Sequence, residues 1–333
     1  STAAYTLRVC DANSVVSAAN EVLAESIALS ADTFQTRHST LYIVGISGQV
    51  FTIISVAGII VSMTIKTRNY FFLALVIAFS GLLLASSAML GYSIYTDTLT
   101  RPDVFPAERI AGFYTRGYSF IATIASLFIF ALYALLAVIY LSVEFEKTQS
   151  TEVIFFALFL VGCFSETARL CTPLFNLWHE LSAFLLCTGR IVLFGRTLAP
   201  TTLLFGAVFS GTEARQHVER NLVILVVLSV MISMLMPLNT AVVLPNFCIK
   251  WGNGEAFIAI RALILAAAIL SLFVNARSLG TKDASPFGFA ALAFGYEISC
   301  YATSYAAASA GGILLFGGTA VYLKSLHRKY LWQ

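Results

Sequence analysis

The sequence predicts an all-α fold, a polytopic transmembrane helical bundle. Hydrophobic residues make up 59% of the 333 residues and charged residues only 11%, whereas an ordinary soluble domain carries about 25% charged residues. The mean hydropathy is +0.85. A helix crosses a bilayer core of roughly 30 Å with about 20 apolar residues. The chain contains seven or eight uncharged apolar runs of about that length, so we expect seven or eight spans.

Each apolar run ends at charged residues, prolines or a polar loop, which sets its predicted bounds. The runs cover about 41–64, 70–95, 118–143, 153–172, 181–210, 222–244, 256–276 and 286–323. The first two runs are predicted to form a tight hairpin around Lys66 and Arg68. The last run is long enough for one extended helix or for two short helices, and the sequence leaves both open.

The remaining residues are divided among flanking segments and loops. Residues 1–40 are expected to form an extramembrane segment with an amphipathic helix, because apolar positions recur there at roughly helical spacing; disorder is the alternative. Residues 96–117 contain prolines and several charged residues, so they form the largest predicted loop between spans. Residues 41–323 then constitute the transmembrane helical domain, and residues 324–333 a basic and aromatic C-terminal tail.

Three residues are predicted to interrupt helices inside the apolar runs. Pro200 lacks the N–H that would bond to the carbonyl four residues earlier, and its ring clashes with that carbonyl. The run 181–210 is therefore expected to be kinked or broken between Gly189 and Pro200. Pro237 and Asn239, in the string MPLNT, fit a kink and its cap, with contact to a ligand as the alternative.

The polar residues argue against several classes of function. The formal net charge of +3 comes from scattered residues without a basic run, so nucleic acid is not an expected partner. The six cysteines form no CxxC pair and show no metal-ligand spacing. The lysines and histidines lie at segment ends or in loops, which argues against retinal and against haem. The sequence contains no nucleotide-binding or hydrolase motif, so we expect no cofactor, no metal and no catalytic residue.

Ionisable residues inside the apolar runs form the candidate site. An ionisable group in hydrocarbon costs on the order of 2.5 to 3.5 kcal/mol, so it usually faces protein or a water-filled cavity. The residues concerned are Glu166, Arg169, Arg190, Arg261 and Glu297. One hypothesis pairs Glu166 with Arg169 or Arg190, and Arg261 with Glu297, as neutralising pairs that orient the bundle. The other hypothesis makes these side chains the lining of a polar cavity for an ion, a proton or a charged solute.

Rows of small residues in the last run indicate close helix packing. They are Ser304, Ala308 and Gly312 in one row and Ala302, Ala306 and Ala310 in the other. Lipid tails gain little from such a surface, whereas the backbone of a neighbouring helix can approach it closely. We therefore expect residues 302–312 to form a helix contact within this chain or with a partner subunit.

The membrane orientation is only weakly determined by the sequence. Basic residues are almost balanced between the two predicted sides, and the side of the C-terminal tail depends on whether the last run crosses once or twice. We expect the predicted loop with Lys66 and Arg68 to face the cytoplasm.

At the strings FFALFLVGCFSETARL, FGRTLAPTTLLFGAVFSG and MPLNT the chain resembles a group of uncharacterised polytopic inner-membrane proteins of spirochaete-type bacteria. The resemblance covers about residues 150–245. It implies an integral protein of a bacterial inner (cytoplasmic) membrane, and it implies no activity and no catalytic residue.

The absence of catalytic and cofactor signatures favours a non-enzymatic membrane protein that acts as a subunit or scaffold of a larger assembly. Its expected partners are the lipid bilayer and other membrane subunits. The main alternative is a small-solute or ion transporter that uses a broken helix and the buried Glu and Arg residues. A seven-helix sensor module is the third hypothesis. A transporter needs paired interrupted helices and a hydrated cavity, a scaffold needs paired charges in a dry core, and a sensor needs an outward-facing pocket.

Overall fold

The computed structural model describes six stretches of the chain, which are residues 65–99, 118–145, 151–178, 183–210, 218–278 and 284–331. The predicted amphipathic segment 1–40, the first predicted span 41–64 and most of the predicted loop 96–117 lie outside the described residues. Almost every described stretch is helical, in agreement with the predicted helical class.

The described elements run in the following order. The helices are α1 (Ile65–Tyr95), α2 (Phe120–Glu144), α3 (Thr151–Ser165), α4 (Cys171–Leu174), α5 (Ala183–Val208), α6 (Val218–Leu235), α7 (Gly254–Ser278), α8 (Ser285–Cys300) and α9 (Tyr305–Leu331). A 3₁₀ turn, Glu166–Leu170, joins α3 to α4. Between α6 and α7 lies an antiparallel hairpin of β1 (Leu238–Val243) and β2 (Ile249–Trp251).

Six helical segments of the described residues are long and apolar enough to cross a bilayer. They are Arg68–Tyr95, Phe120–Glu144, Thr151–Leu174, Ala183–Val208, Gly254–Ser278 and Tyr305–Arg328. The chain is therefore an integral membrane protein of helical class, while the larger expectation of seven or eight spans is not confirmed. The apolar part of α6, Arg220–Leu235, is shorter than these segments.

The predicted hairpin loop at Lys66 and Arg68 is not present, because α1 already begins at Ile65. Arg68 is only 3% exposed. Its Nη2 donates to the carbonyl of Phe145 at 2.8 Å, just beyond the end of α2. A helix C-terminus leaves carbonyls without helical partners, so a guanidinium is stabilised there and the charged residue stays inside a helix.

The predicted single run 222–244 is also wrong, because a short two-stranded hairpin follows α6. The helix α6 ends at Leu235, two residues before Pro237, because proline cannot donate the N–H that would continue the helix. The chain then forms β1, in which Asn239 pairs with Lys250 of β2. This hairpin replaces the predicted kink and cap at the MPLNT string.

The structure also defines the helices of the last apolar run and of the run that contains Pro200. The run 286–323 forms two helices, α8 and α9, with the break at residues 301–304. Residues 324–331, predicted as a tail, continue α9 instead. Pro200 lies inside α5, which is one continuous helix, so the run 181–210 is not divided in two. A kink at Pro200 stays a prediction.

Glycines allow the closest helix contacts. In the antiparallel pair α8 and α9, a Cβ added to Gly295 would lie 2.6 Å from the backbone nitrogen of Leu315, and one added to Gly288 would lie 2.8 Å from that of Tyr322. In the pair α3 and α5, a Cβ on Gly162 would lie 2.9 Å from that of Ala199. Any larger residue at these positions would push two backbones apart.

Several helix ends meet at the same end of the bundle. Arg68 contacts Phe145 after α2, and His327 near the end of α9 lies 3.2 Å from Glu144. Asn275 near the end of α7 donates to the carbonyl of Ala207 near the end of α5, at 2.9 Å. The end of α3, the end of α6 and the β-hairpin lie toward the opposite end, beside the first half of α5.

Candidate functional site

Glu166 owes its position to a change of helix type. The α-helix α3 ends at Ser165 and continues as the 3₁₀ turn Glu166–Leu170. Side chains three residues apart eclipse each other in a 3₁₀ helix, which brings Arg169 above Glu166. The Arg169 Nη2 atom lies 2.7 Å from Glu166 Oε2, so the predicted pairing of these two residues is confirmed.

A second arginine binds the same carboxylate from α5. Arg196 Nε donates to Glu166 Oε1 at 2.6 Å, and Arg196 Nη2 donates to Oε2 at 3.1 Å. Two parallel bonds of this kind are the strongest arrangement that a guanidinium and a carboxylate form. Glu166 is fully buried, and both arginines are 1% exposed. The carboxylate therefore depends on these two arginines for its charge balance.

The same two arginines bind the C-terminal end of α8. The carbonyl of Cys300, the last residue of α8, accepts from Arg196 Nη2 at 2.9 Å and from Arg169 Nη1 at 3.1 Å. The C-terminal end of a helix carries a partial negative charge of about half an elementary charge. The guanidiniums thus neutralise a side-chain carboxylate and a buried helix end at once.

Arg261 and Glu297 form the predicted second pair. Arg261 Nη2 lies 2.8 Å from Glu297 Oε1, with Arg261 1% exposed and Glu297 25% exposed. Arg261 Nη1 also donates to the hydroxyl of Tyr301 at 3.1 Å. The guanidinium carbon lies 5.6 Å from the ring centroid of Tyr296 and 5.9 Å from that of Phe257, where the negative ring faces attract it.

Arg190 does not join this cluster and does not contact Glu166. Its Nη1 donates to the carbonyl of Ser233, and it donates to the carbonyl of Met236 at 2.6 Å. The hydroxyl of Ser233 returns a bond of 2.7 Å to the carbonyl of Arg190. Arg190 is therefore a cap for the C-terminal end of α6.

The β-hairpin covers the cluster on one side. Arg169 Nη1 donates to the carbonyl of Asn246 at 3.1 Å, at the turn between the strands. Phe247 has a φ of 63°, a conformation that costs energy for a bulky residue. Its ring packs against Trp178 and Phe120, which compensates for that cost. The indole of Trp251 lies 5.1 Å from the guanidinium carbon of Arg196.

A small cavity lies between the hairpin and α5. Its volume is about 10 Å³, room for about one water molecule. Its polar lining comes from Arg169, Thr188 and Cys248, and the rest is apolar. Among the described residues, no group of three or more His, Cys, Asp or Glu side chains is arranged to hold a metal ion.

Sequence reasoning identified four members of the cluster and missed one. Glu166, Arg169, Arg261 and Glu297 meet around the end of α8, whereas Pro200, Pro237 and Asn239 do not contribute a charged contact to it. Arg196, the bidentate partner of Glu166, was not among the predicted site residues. Gly195 lets α5 approach the α3 backbone, where an added Cβ would lie 2.7 Å from the carbonyl of Gly162. Arg190 also follows a glycine, so this signal did not single out Arg196.

Comparisons with protein-family models, with curated proteins and with solved structures found no match to this chain.

Proposed function

We propose that the protein is a non-enzymatic subunit or scaffold of a larger membrane assembly, in a bacterial inner membrane. The observation that carries this proposal is the pairing of the buried charges. Each of the five charged side chains around the end of α8 has a partner of opposite charge within 2.8 Å. The cavity beside them has room for about one water molecule. Charges used in this way fix helix positions rather than conduct a solute.

The outer face of α9 is the surface that we assign to a partner subunit. In the row Ser304, Ala308 and Gly312, Ala308 is 5% exposed and a Cβ on Gly312 would lie 3.2 Å from Ile129 of α2, so this row packs within the chain. Ala306 and Ala310 are exposed, as is Gly317, whose added Cβ would meet nothing within 4 Å. Such a face favours a helix neighbour over lipid.

The assembly can be tested by its size in a mild detergent. The protein part of the particle should exceed the 36.1 kDa of one chain in light scattering. Ala310→Leu should reduce the particle size without lowering the thermal midpoint, because the new side chain obstructs a partner but touches nothing inside the chain. Ala266→Leu, at an exposed alanine of α7, is the matched control and should leave the size unchanged. A single chain under all these conditions would refute the proposal.

A small-solute or ion transporter is the second candidate, and one observation favours it. Two short helices, α6 and α8, end inside the fold at arginine-bound carbonyls, and helix ends within a membrane are typical of transport sites. Anion or proton flux through proteoliposomes that is abolished by Arg196→Met would support this candidate over the scaffold. The sensor hypothesis needs an outward-facing pocket and stays a prediction.

A further inference from the structure

We propose that a small monovalent anion of halide size binds in the cavity beside Arg169, between α5 and the β-hairpin. This inference goes beyond the scaffold proposal, because it assigns the protein a resident ligand. It does not depend on whether the protein has a partner.

The buried cluster carries an excess of positive charge. Within the part of the chain that the structure describes, three guanidiniums face two carboxylates around the end of α8. The guanidiniums belong to Arg169, Arg196 and Arg261, and the carboxylates to Glu166 and Glu297. The end of α8 offsets about half of the remaining positive charge. A buried net charge is costly, so a negatively charged ligand is favoured there.

Arg169 does not use all of its N–H donors within the protein. Its Nη1 donates to the carbonyls of Asn246 and Cys300. Its Nη2 lies close to Glu166 but makes no hydrogen bond of good geometry, although it is fully buried. Its Nε donates to the carbonyl of Glu166 at 3.3 Å, so of the five N–H donors of the guanidinium only those on Nη2 remain, and Arg169 lines the cavity.

The size and the lining of the cavity suit a halide. A volume of about 10 Å³ is too small for a phosphate or a carboxylate, and the positive surroundings exclude a cation. Cys248 offers a weakly polar contact, and Ile249 and Trp251 form apolar walls. The hydroxyl of Thr188 donates to the carbonyl of Leu185 at 2.8 Å, so Thr188 contributes only its shape to the wall. Halides are weakly hydrated compared with multivalent anions and fit a site of this kind.

The test uses the full-length protein in detergent, with chloride replaced stepwise by gluconate at constant ionic strength. Chloride should raise the thermal midpoint in a saturable manner. At a chloride concentration ten times the dissociation constant, the ratio of folded to unfolded protein should be about elevenfold higher. Equal midpoints in chloride and gluconate would show that the cavity holds only water and would overturn the proposal.

Two glycine variants on α5 distinguish the cavity from the rest of the protein. Gly189→Ala adds a methyl group to the cavity wall, 2.6 Å from the Cδ1 atom of Ile249, and should abolish the chloride effect. Gly206→Ala lies on the same helix, where the new Cβ would meet Phe155 at 3.5 Å, and should keep the effect. An unchanged chloride effect in Gly189→Ala would overturn the proposal.

A second measurement does not depend on stability. Replacing Trp178 and Trp332 with Phe leaves Trp251 as the single tryptophan, and Trp251 lines the cavity. Bromide should then quench its fluorescence with a saturable concentration dependence. Adding Gly189→Ala should leave only weak, linear quenching. Linear quenching in both proteins would count against the site. If Gly189→Ala does not fold, Val192→Ile, which adds a methyl group to the same cavity wall, replaces it in both experiments.

Discussion

Removing the carboxylate of Glu166 is the most informative perturbation of the buried cluster. The variant Glu166→Gln keeps the shape of the side chain but removes the negative charge that Arg169 and Arg196 share. The amide oxygen can still accept hydrogen bonds at one of the two carboxylate positions, whereas at the other the amide NH₂ faces a guanidinium as a second donor. Two buried guanidiniums lose their counter-charge.

The expected magnitude follows from burial. Removing one partner of a buried ion pair typically costs about 3 to 5 kcal/mol, because the other charge stays buried. Glu166 is fully buried, so the full range applies. Glu297→Gln is the matched control, since that side chain is 25% exposed and Arg261 keeps its bond to Tyr301. Solvent screening reduces the expected cost there to about 1 to 2 kcal/mol.

Buried thiols provide the assay. Cys163, Cys248 and Cys300 are free and buried, so a thiol-reactive fluorophore reports their exposure on unfolding. At about 2 °C per kcal/mol, the thermal midpoint should fall by about 6 to 10 °C in Glu166→Gln and by about 2 to 4 °C in Glu297→Gln. If Glu166→Gln is as stable as Glu297→Gln, the cluster does not hold the bundle together and the reasoning is refuted.

Three further outcomes are expected. Arg190→Met should cost about 2 kcal/mol and raise hydrogen exchange at the end of α6, because carbonyls there lose a donor; unchanged exchange would contradict the capping role. Ala308→Leu should destabilise the chain by roughly 1 to 3 kcal/mol, whereas Ala310→Leu, which points outward, should stay within about 0.5 kcal/mol in the same thermal assay. An impermeant thiol reagent applied to intact cells should label Lys250→Cys and not Lys324→Cys, since the end of α9 carries more basic residues; the reverse pattern would invert the orientation.

The orientation prediction rests on which helix ends share a side. Arg68 at the start of α1 contacts Phe145 just after α2. His327 near the end of α9 contacts Glu144 at the end of α2. Because the last apolar run forms two helices, the basic residues at the end of α9 fall on the same side as Arg68. Among the described residues, Arg220 and Arg277 also lie at helix ends on this side.

Composition and spacing were sufficient to predict the long helices and two of the buried ion pairs. Apolar runs of about 20 residues predicted α2 and α7 within a few residues of their observed bounds. Glu166 and Arg169 are three residues apart, so their contact is a local property of the helix. Arg261 and Glu297 were matched by charge alone, as the cost of an unpaired ion in the membrane requires.

The β-hairpin and the role of Arg196 were not predictable in the same way. Strands of a few apolar residues have the same composition as the end of a membrane helix, and a short run does not reveal its period. Only Pro237 marked the end of α6. Arg196 and Arg190 look equivalent in the sequence, because both follow a glycine in one apolar run. Their partners depend on how α5 packs against α3 and α6, which is tertiary information.

The arrangement of α5 gives both arginines the same physical task at different places. They are six residues apart, so they are separated by about 9 Å along the helix and by about 240° around it. They therefore reach neighbours on different sides, with Arg190 at the end of α6 and Arg196 at the end of α8. A helix end without such a donor would leave several buried carbonyls unsatisfied. If the protein transported a solute through this cluster, the guanidiniums would have to leave these carbonyls during each cycle. Transport would then require α6 or α8 to lose its cap, whereas a scaffold needs only that both caps persist.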